Sequence, residues 1–171
     1  MAKPALRRWI SPQPSDAASA LDTAVRFLAQ RPRSEYEVRQ RLRRAGIDEA
    51  TLDGVLLQLR QHQLLDDRAF ADYWVEQRQT FRPRGARLLR MELARLGVER
   101  GRAEAAVAPI VDTAEADAYR AAARQARRLH ALDERAFATR LGGWLVRRGF
   151  DWDTITPVVA RLWIEVSRGP D

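Results

Sequence analysis

The chain has 171 residues, 30 lysines and arginines against 23 aspartates and glutamates, a formal charge of +7 and no cysteine. Lack of cysteine excludes a disulfide framework, a cysteine-ligated zinc or iron–sulfur centre and a thiol nucleophile, and a reduced cytoplasmic setting is expected. No run approaches the ~18 apolar residues that a bilayer span requires, and 28 alanines, 29 arginines and 19 leucines give a composition that favours helix.

In chain order, residues 1–16 carry three prolines (Pro4, Pro12, Pro14) and basic residues without the apolar stretch of a secretory signal. They read as a disordered arm, with Trp9 free to be exposed. The first repeat, 17–63, is expected to hold helices over 17–30, 34–45 and 49–61. Ser34 and Glu37 make a capping box behind Pro32, and Asp48 caps the third helix. The second, 64–112, is expected to hold helices over 67–80, 84–96 and 100–111, opened by Asp66 and by Pro83. In the third, 113–168, helices are expected over 114–130, 134–148 and 152–167, with Asp133 as an N-cap. Pro157 implies either a later start at Thr156 or a kink.

The repeat is legible in three glycines. Leu42-Arg43-Arg44-Ala45-Gly46-Ile47, Leu93-Ala94-Arg95-Leu96-Gly97-Val98 and Leu145-Val146-Arg147-Arg148-Gly149-Phe150 place Gly46, Gly97 and Gly149 at intervals of 51 and 52 residues. Each suits the left-handed end of a helix, with an apolar residue after it and a leucine for that residue to touch. The register extends outward: Val38, Leu89 and Leu141 lie before the glycine, while Leu56, Val107 and Val159, then Leu59, Ile110 and Leu162, lie after it. The expected fold is all-α, a tandem array of three three-helix repeats forming an elongated, curved body.

Chemistry is sparse. His62 and His130 are 68 positions apart and read as a turn residue and a helix-end residue. Asp66-Asp67 reads first as a helix opening and second as a magnesium or acid–base pair. No phosphate-cradling or HExxH motif is present, so the chain is expected not to be an enzyme and to need no cofactor. Arginine stripes are the candidate binding surface: Arg39 and Arg43 on the second helix, Arg84, Arg87 and Arg90 along the fifth with Arg82 just before it, and Arg120, Arg124, Arg127 and Arg128 along the seventh. Such stripes suit phosphate or an acidic protein, or are solvated helix faces. Phe70, Trp74, Phe137, Trp144 and Phe150 read as core, while Tyr36 is free to be exposed. Gly142-Gly143 marks close packing, by a neighbouring helix in preference to a partner.

The run Leu64-Leu65-Asp66-Asp67 with Phe70-Ala71, Trp74, Arg78, Gly85, Glu92-Leu93 and Gly97-Val98 resembles the signature of the bacterial RecX regulatory proteins. Leu145 with Arg147-Arg148-Gly149-Phe150, and Arg31 with Ser34-Glu35 and Leu42, are similar to the family's last and first repeats. The resemblance spans residues 18–165 and implies a non-catalytic regulator. Such a protein binds the RecA recombinase and its DNA filament and limits filament growth, ATPase, recombinase and co-protease activity, hence DNA repair and the SOS response. It also implies weak direct DNA binding, no membrane association and a monomer. The other reading is a helical module that binds DNA without RecA.

Overall fold

Gly46, Gly97 and Gly149 have φ of 80°, 77° and 87°, the left-handed conformation that glycine adopts without a Cβ penalty. At each, two backbone bonds close the preceding helix. Ile47, Val98 and Phe150 donate to the carbonyls of Leu42, Leu93 and Leu145, and the glycine amides donate to Arg43, Ala94 and Val146. This is a Schellman ending in all three repeats, and the three leucines it brings inward have no exposed surface.

The computed structural model describes residues 14–168. Its helices are α1 (Pro14–Gln30), α2 (Glu35–Arg44), α3 (Glu49–Gln61), α4 (Asp67–Phe81), α5 (Ala86–Arg95), α6 (Arg100–Val111), α7 (Ala114–Arg128), α8 (Glu134–Arg147) and α9 (Trp152–Ser167). Among the described residues there is no strand. Most of the arm, with Trp9, lies outside the described residues, but Pro14 to Asp16 belong to α1 rather than to it. Proline at a first helical position loses no hydrogen bond.

The chain divides into two units, Met1–Asp66 and Asp67–Asp171. In the first, α1–α3 enclose Ala20, Ala24, Val38, Leu42, Leu52, Val55, Leu56 and Leu59. The capping box of Ser34 with Glu37 sets the start of α2, and Asp48 receives the Thr51 amide at the start of α3. α3 closes with Gln63 at φ 57°, where the Leu64 amide reaches the Leu59 carbonyl. It is the same ending built on a residue with a side chain, which the glycine pattern does not reveal.

The second unit holds six helices around two apolar clusters. One gathers Phe70, Ala71, Val75, Leu89, Leu93 and Val107 from α4–α6; the other gathers Ala118, Ala122, Ala126, Phe137, Leu141, Leu145, Phe150, Ile155 and Leu162 from α7–α9. Alanine lines the buried face of α7, where Ala118, Ala122 and Ala126 recur at i+4. Small side chains there let α7 lie close to its neighbours.

The join between these clusters brings backbone against backbone. Gly85 caps α5 and donates to the Arg148 carbonyl at 2.9 Å, and a Cβ on Gly85 would overlap the Gly149 carbonyl. A Cβ on Gly149 would in turn overlap Leu88. This contact explains why α5 begins at Ala86 rather than beside Pro83: Gly85 is extended where it meets the turn after α8. Pro157 lies inside α9, which starts at Trp152, so the later start at Thr156 is not used. Gly142 is buried, and a Cβ there would come within 3.3 Å of the Trp152 ring; the close neighbour is the chain's own α9.

Candidate functional site

The ten arginines singled out by the sequence fall into two classes once their partners are in view. Arg39 and Arg43 belong to the first. Arg39 reaches Asp53 at 2.8 Å and Glu49 at 3.3 Å, and Arg43 grips Glu49 with two nitrogens at 2.6 and 3.1 Å. The Arg43 hydrogen bond holds the Glu49 carboxyl below its ordinary range, and Glu49 raises Arg43 above its own. These side chains tie α2 to α3. An incoming phosphate would have to displace a carboxylate.

Arg87, Arg90 and Arg120 are engaged as well. Arg87 donates to the Val146 carbonyl at 2.7 Å, a second bond to an acceptor at the end of α8 that also takes the Gly149 amide. Arg90 meets Glu104 at 2.7 Å, holding α5 to α6. Arg120 meets Asp117 at 2.6 Å. Asp117 is a buried acid that also accepts from the Thr113 hydroxyl, so Arg120 supplies the charge its burial demands.

Arg82 lies in the connection between α4 and α5, as expected, and Arg84 lies there too rather than on the helix; both form part of a larger constellation. Glu92, on α5, takes the Trp74 indole N–H at 3.0 Å, Arg78 Nε at 3.2 Å, and Arg84. Arg78 also stacks 4.0 Å over Trp74, and Arg148 stacks 4.0 Å over Trp144. Burial lowers the pKa of Arg84 first, and the charges of Arg78, Arg148 and Arg82 lower it further. Burial, then Arg82, does the same to Arg148. Four guanidinium groups thus lie within electrostatic reach of one another, and Glu92 pairs with two of them, Arg78 and Arg84, which leaves an excess of positive charge. Arg78 and Arg148 were not among the sequence candidates. The available signal was an arginine four residues after a tryptophan in both helices.

Arg124, Arg127 and Arg128 remain exposed on α7 and, among the described residues, make no ion pair; the same holds for Arg82. These four are the candidates whose charge is available to a partner. Phe70, Phe137 and Phe150 are core residues, and Trp74 and Trp144 are half-buried beneath their arginines. His62 ends α3, and His130 approaches the Arg127 carbonyl just past α7. Asp67 opens α4. Among the described residues, no group of three or more His, Cys, Asp or Glu could hold a metal, and no helix is long and apolar enough to cross a membrane.

Two family models match: "RecX, first three-helix domain" over residues 20–59 and "RecX, second three-helix domain" over 66–107. The Regulatory protein RecX of Chlorobium limicola is 35% identical over 148 residues, covering 86% of this chain and 90% of that one. That of Prosthecochloris aestuarii is also 35% identical, covering 86% and 96%. The Geobacillus thermodenitrificans protein is 33% identical over 142 residues, 82% of this chain but 53% of its own, so the chain spans about half the length of that relative. The crystal structure of RecX from Lactobacillus salivarius superposes with a TM-score of 0.81 at 21% identity, covering 89% and 99% of the two chains. A second crystal structure, of a regulatory protein RecX, gives 0.77 at 22%, covering 84% and 72%. At these identities the superpositions establish the shared fold.

Proposed function

Since the chain belongs to the RecX family, we propose that it regulates the RecA recombinase by binding RecA and its DNA filament. Binding limits filament growth and lowers ATPase, recombinase and co-protease activity, and through them DNA repair and the SOS response. It acts in the cytoplasm, as a monomer, without catalysis or cofactor. The observation that carries this reading is the excess positive charge at Arg78, Arg82, Arg84 and Arg148, where Glu92 pairs with Arg78 and Arg84, together with Arg124, Arg127 and Arg128 on α7, which make no ion pair among the described residues. A nucleoprotein filament offers phosphates and acidic side chains to both, and desolvated pairing with either favours a guanidinium fork. Arg39, Arg43, Arg87, Arg90 and Arg120 serve the fold first, since each has a partner within the chain.

The test is RecA ATPase on single-stranded DNA titrated with this protein. Turnover is expected to fall as the protein saturates the filament; unchanged turnover at saturating binding overturns the proposal. Direct DNA binding without RecA is the second reading, favoured by the exposed row on α7. It predicts tight, sequence-dependent association that survives high salt, whereas a phosphate-only contact weakens steeply as salt rises.

A further inference from the structure

Within the second unit, α7 and α9 leave a slot of about 480 Å³ between their later turns. That volume suits a small molecule. One wall is a row on α7, where Tyr119, Ala123 and Arg127 follow i, i+4, i+8 spacing over about 12 Å. Facing it are Leu162, Glu165 and Val166 of α9, with His130 just past the end of α7. The hollow exists because Ala123 places a methyl group between two long side chains. Its apolar lining is completed by Leu162, which is buried, and Val166, which is half-buried.

The two ends of the slot differ in charge. At one, the Tyr119 hydroxyl donates to Glu165 at 2.8 Å, and Arg161, stacked 4.1 Å over the Tyr119 ring, donates to the same carboxylate at 2.9 Å. The charge of Glu165 is thereby answered. At the other end Arg127 is exposed and, among the described residues, makes no ion pair. The Arg127 carbonyl is met by His130 Nδ1 at 3.1 Å, so this acceptor at the end of α7 is not left to repel an anion. A neutral apolar molecule would fill the hollow and leave Arg127 unused, while a cation would be repelled by it. The complement is an elongated molecule with an apolar body and one anionic head, which a guanidinium pairs by charge-assisted hydrogen bonds.

We infer that this slot binds a small amphipathic carboxylate, its apolar body over Ala123, Leu162 and Val166 and its head on Arg127. This goes beyond the filament proposal. Arg127 enters both, but that proposal stands also on Arg124, Arg128 and the cluster around Glu92.

The experiment is an amide NMR titration of the isotope-labelled full chain with octanoate and, separately, with octanol, in the absence of RecA and nucleic acid. Saturable shifts are expected across residues 119–130 and 162–166, with octanoate bound about tenfold more tightly than octanol. Arg127→Gln is expected to abolish that preference and leave octanol affinity unchanged. Ala123→Leu, which fills the hollow, is expected to weaken both ligands by about tenfold. Circular dichroism checks that each variant is folded; should Ala123→Leu unfold, the ligand preference of Arg127→Gln decides. Absence of saturable shifts in these segments overturns the inference, as do equal affinities for the two ligands, a preference that survives Arg127→Gln, or undiminished binding by folded Ala123→Leu. Because neither RecA nor DNA is present, any of these failures leaves the ATPase result standing.

Discussion

Gly85→Ala isolates the join inside the second unit. Gly85 has φ −71° and ψ 156°, ordinary extended backbone, so alanine should be accepted there and, by restricting the unfolded chain, stabilise by about 0.4–1 kcal/mol. The surroundings reverse that sign. The new Cβ would overlap the Gly149 carbonyl and the Phe150 amide, and these are backbone atoms that cannot rotate aside. Relief requires α5 to withdraw from the turn after α8, which breaks the Gly85 to Arg148 backbone bond and the Arg87 to Val146 bond. A neutral hydrogen bond contributes about 0.5–1.5 kcal/mol and one from a charged donor about 1.5–3. With Arg87 exposed, the lower end applies, giving a net loss of about 2 kcal/mol. Apart from Trp9, the tryptophans all lie in the second unit, so their fluorescence during urea unfolding reports on it. A midpoint lowered by about 1 M is expected, given a urea slope of about 2 kcal/mol per molar. A variant as stable as the parent would refute the backbone account of this join.

Further outcomes follow from the same geometry. Gly46 and Gly149 are equivalent in the repeat, yet a Cβ on Gly46 meets nothing within 4 Å while one on Gly149 overlaps Leu88. Gly46→Ala should therefore cost only the left-handed penalty of about 1–2 kcal/mol, and Gly149→Ala clearly more, measured by circular dichroism melts. Gln63→Gly should stabilise the first unit by up to about 1 kcal/mol, because Gln63 holds φ 57°; a lowered melting temperature would contradict it. Hydrogen bonds hold the carboxyls of Asp48, Glu49, Glu99 and Glu165 below their ordinary values, with Thr51, Arg43, the Gly101 amide and Tyr119 respectively as first cause. Folding thus binds fewer protons than the unfolded chain. The stability these groups add is present above the unfolded carboxylate range and is lost as pH falls below about 4. Replacing Asp48 by Asn and Glu165 by Gln should flatten that acid limb of stability against pH; an unchanged limb would show the bonds to be inconsequential.

Local chemistry made the helix ends readable. A left-handed residue is expensive for any side chain, so Gly46, Gly97 and Gly149 announce their φ angles, and Ser34, Asp48 and Asp133 announce caps. Gln63 escapes notice because it adopts the same conformation without the marker residue. Gly85 escapes because its role is set by a turn more than sixty residues away. The arginines divide on the same principle. Their spacing shows which helix face they share, but whether Arg90 is free depends on Glu104, and whether Arg87 is free depends on Val146. Fourteen and fifty-nine residues of separation leave no periodic trace. Trp74 with Arg78 and Trp144 with Arg148 are local pairs and were within reach.

Binding of charge-reversed variants to RecA assembled on single-stranded DNA tests the central claim most directly. Arg82→Glu combined with Arg124→Glu and Arg128→Glu should lose most filament affinity with an unchanged melting temperature, while Arg39→Ala should lower stability and leave affinity largely intact. Full affinity in the triple variant would contradict the account, because the positive charge left unpaired by the fold would then have no part in recognition.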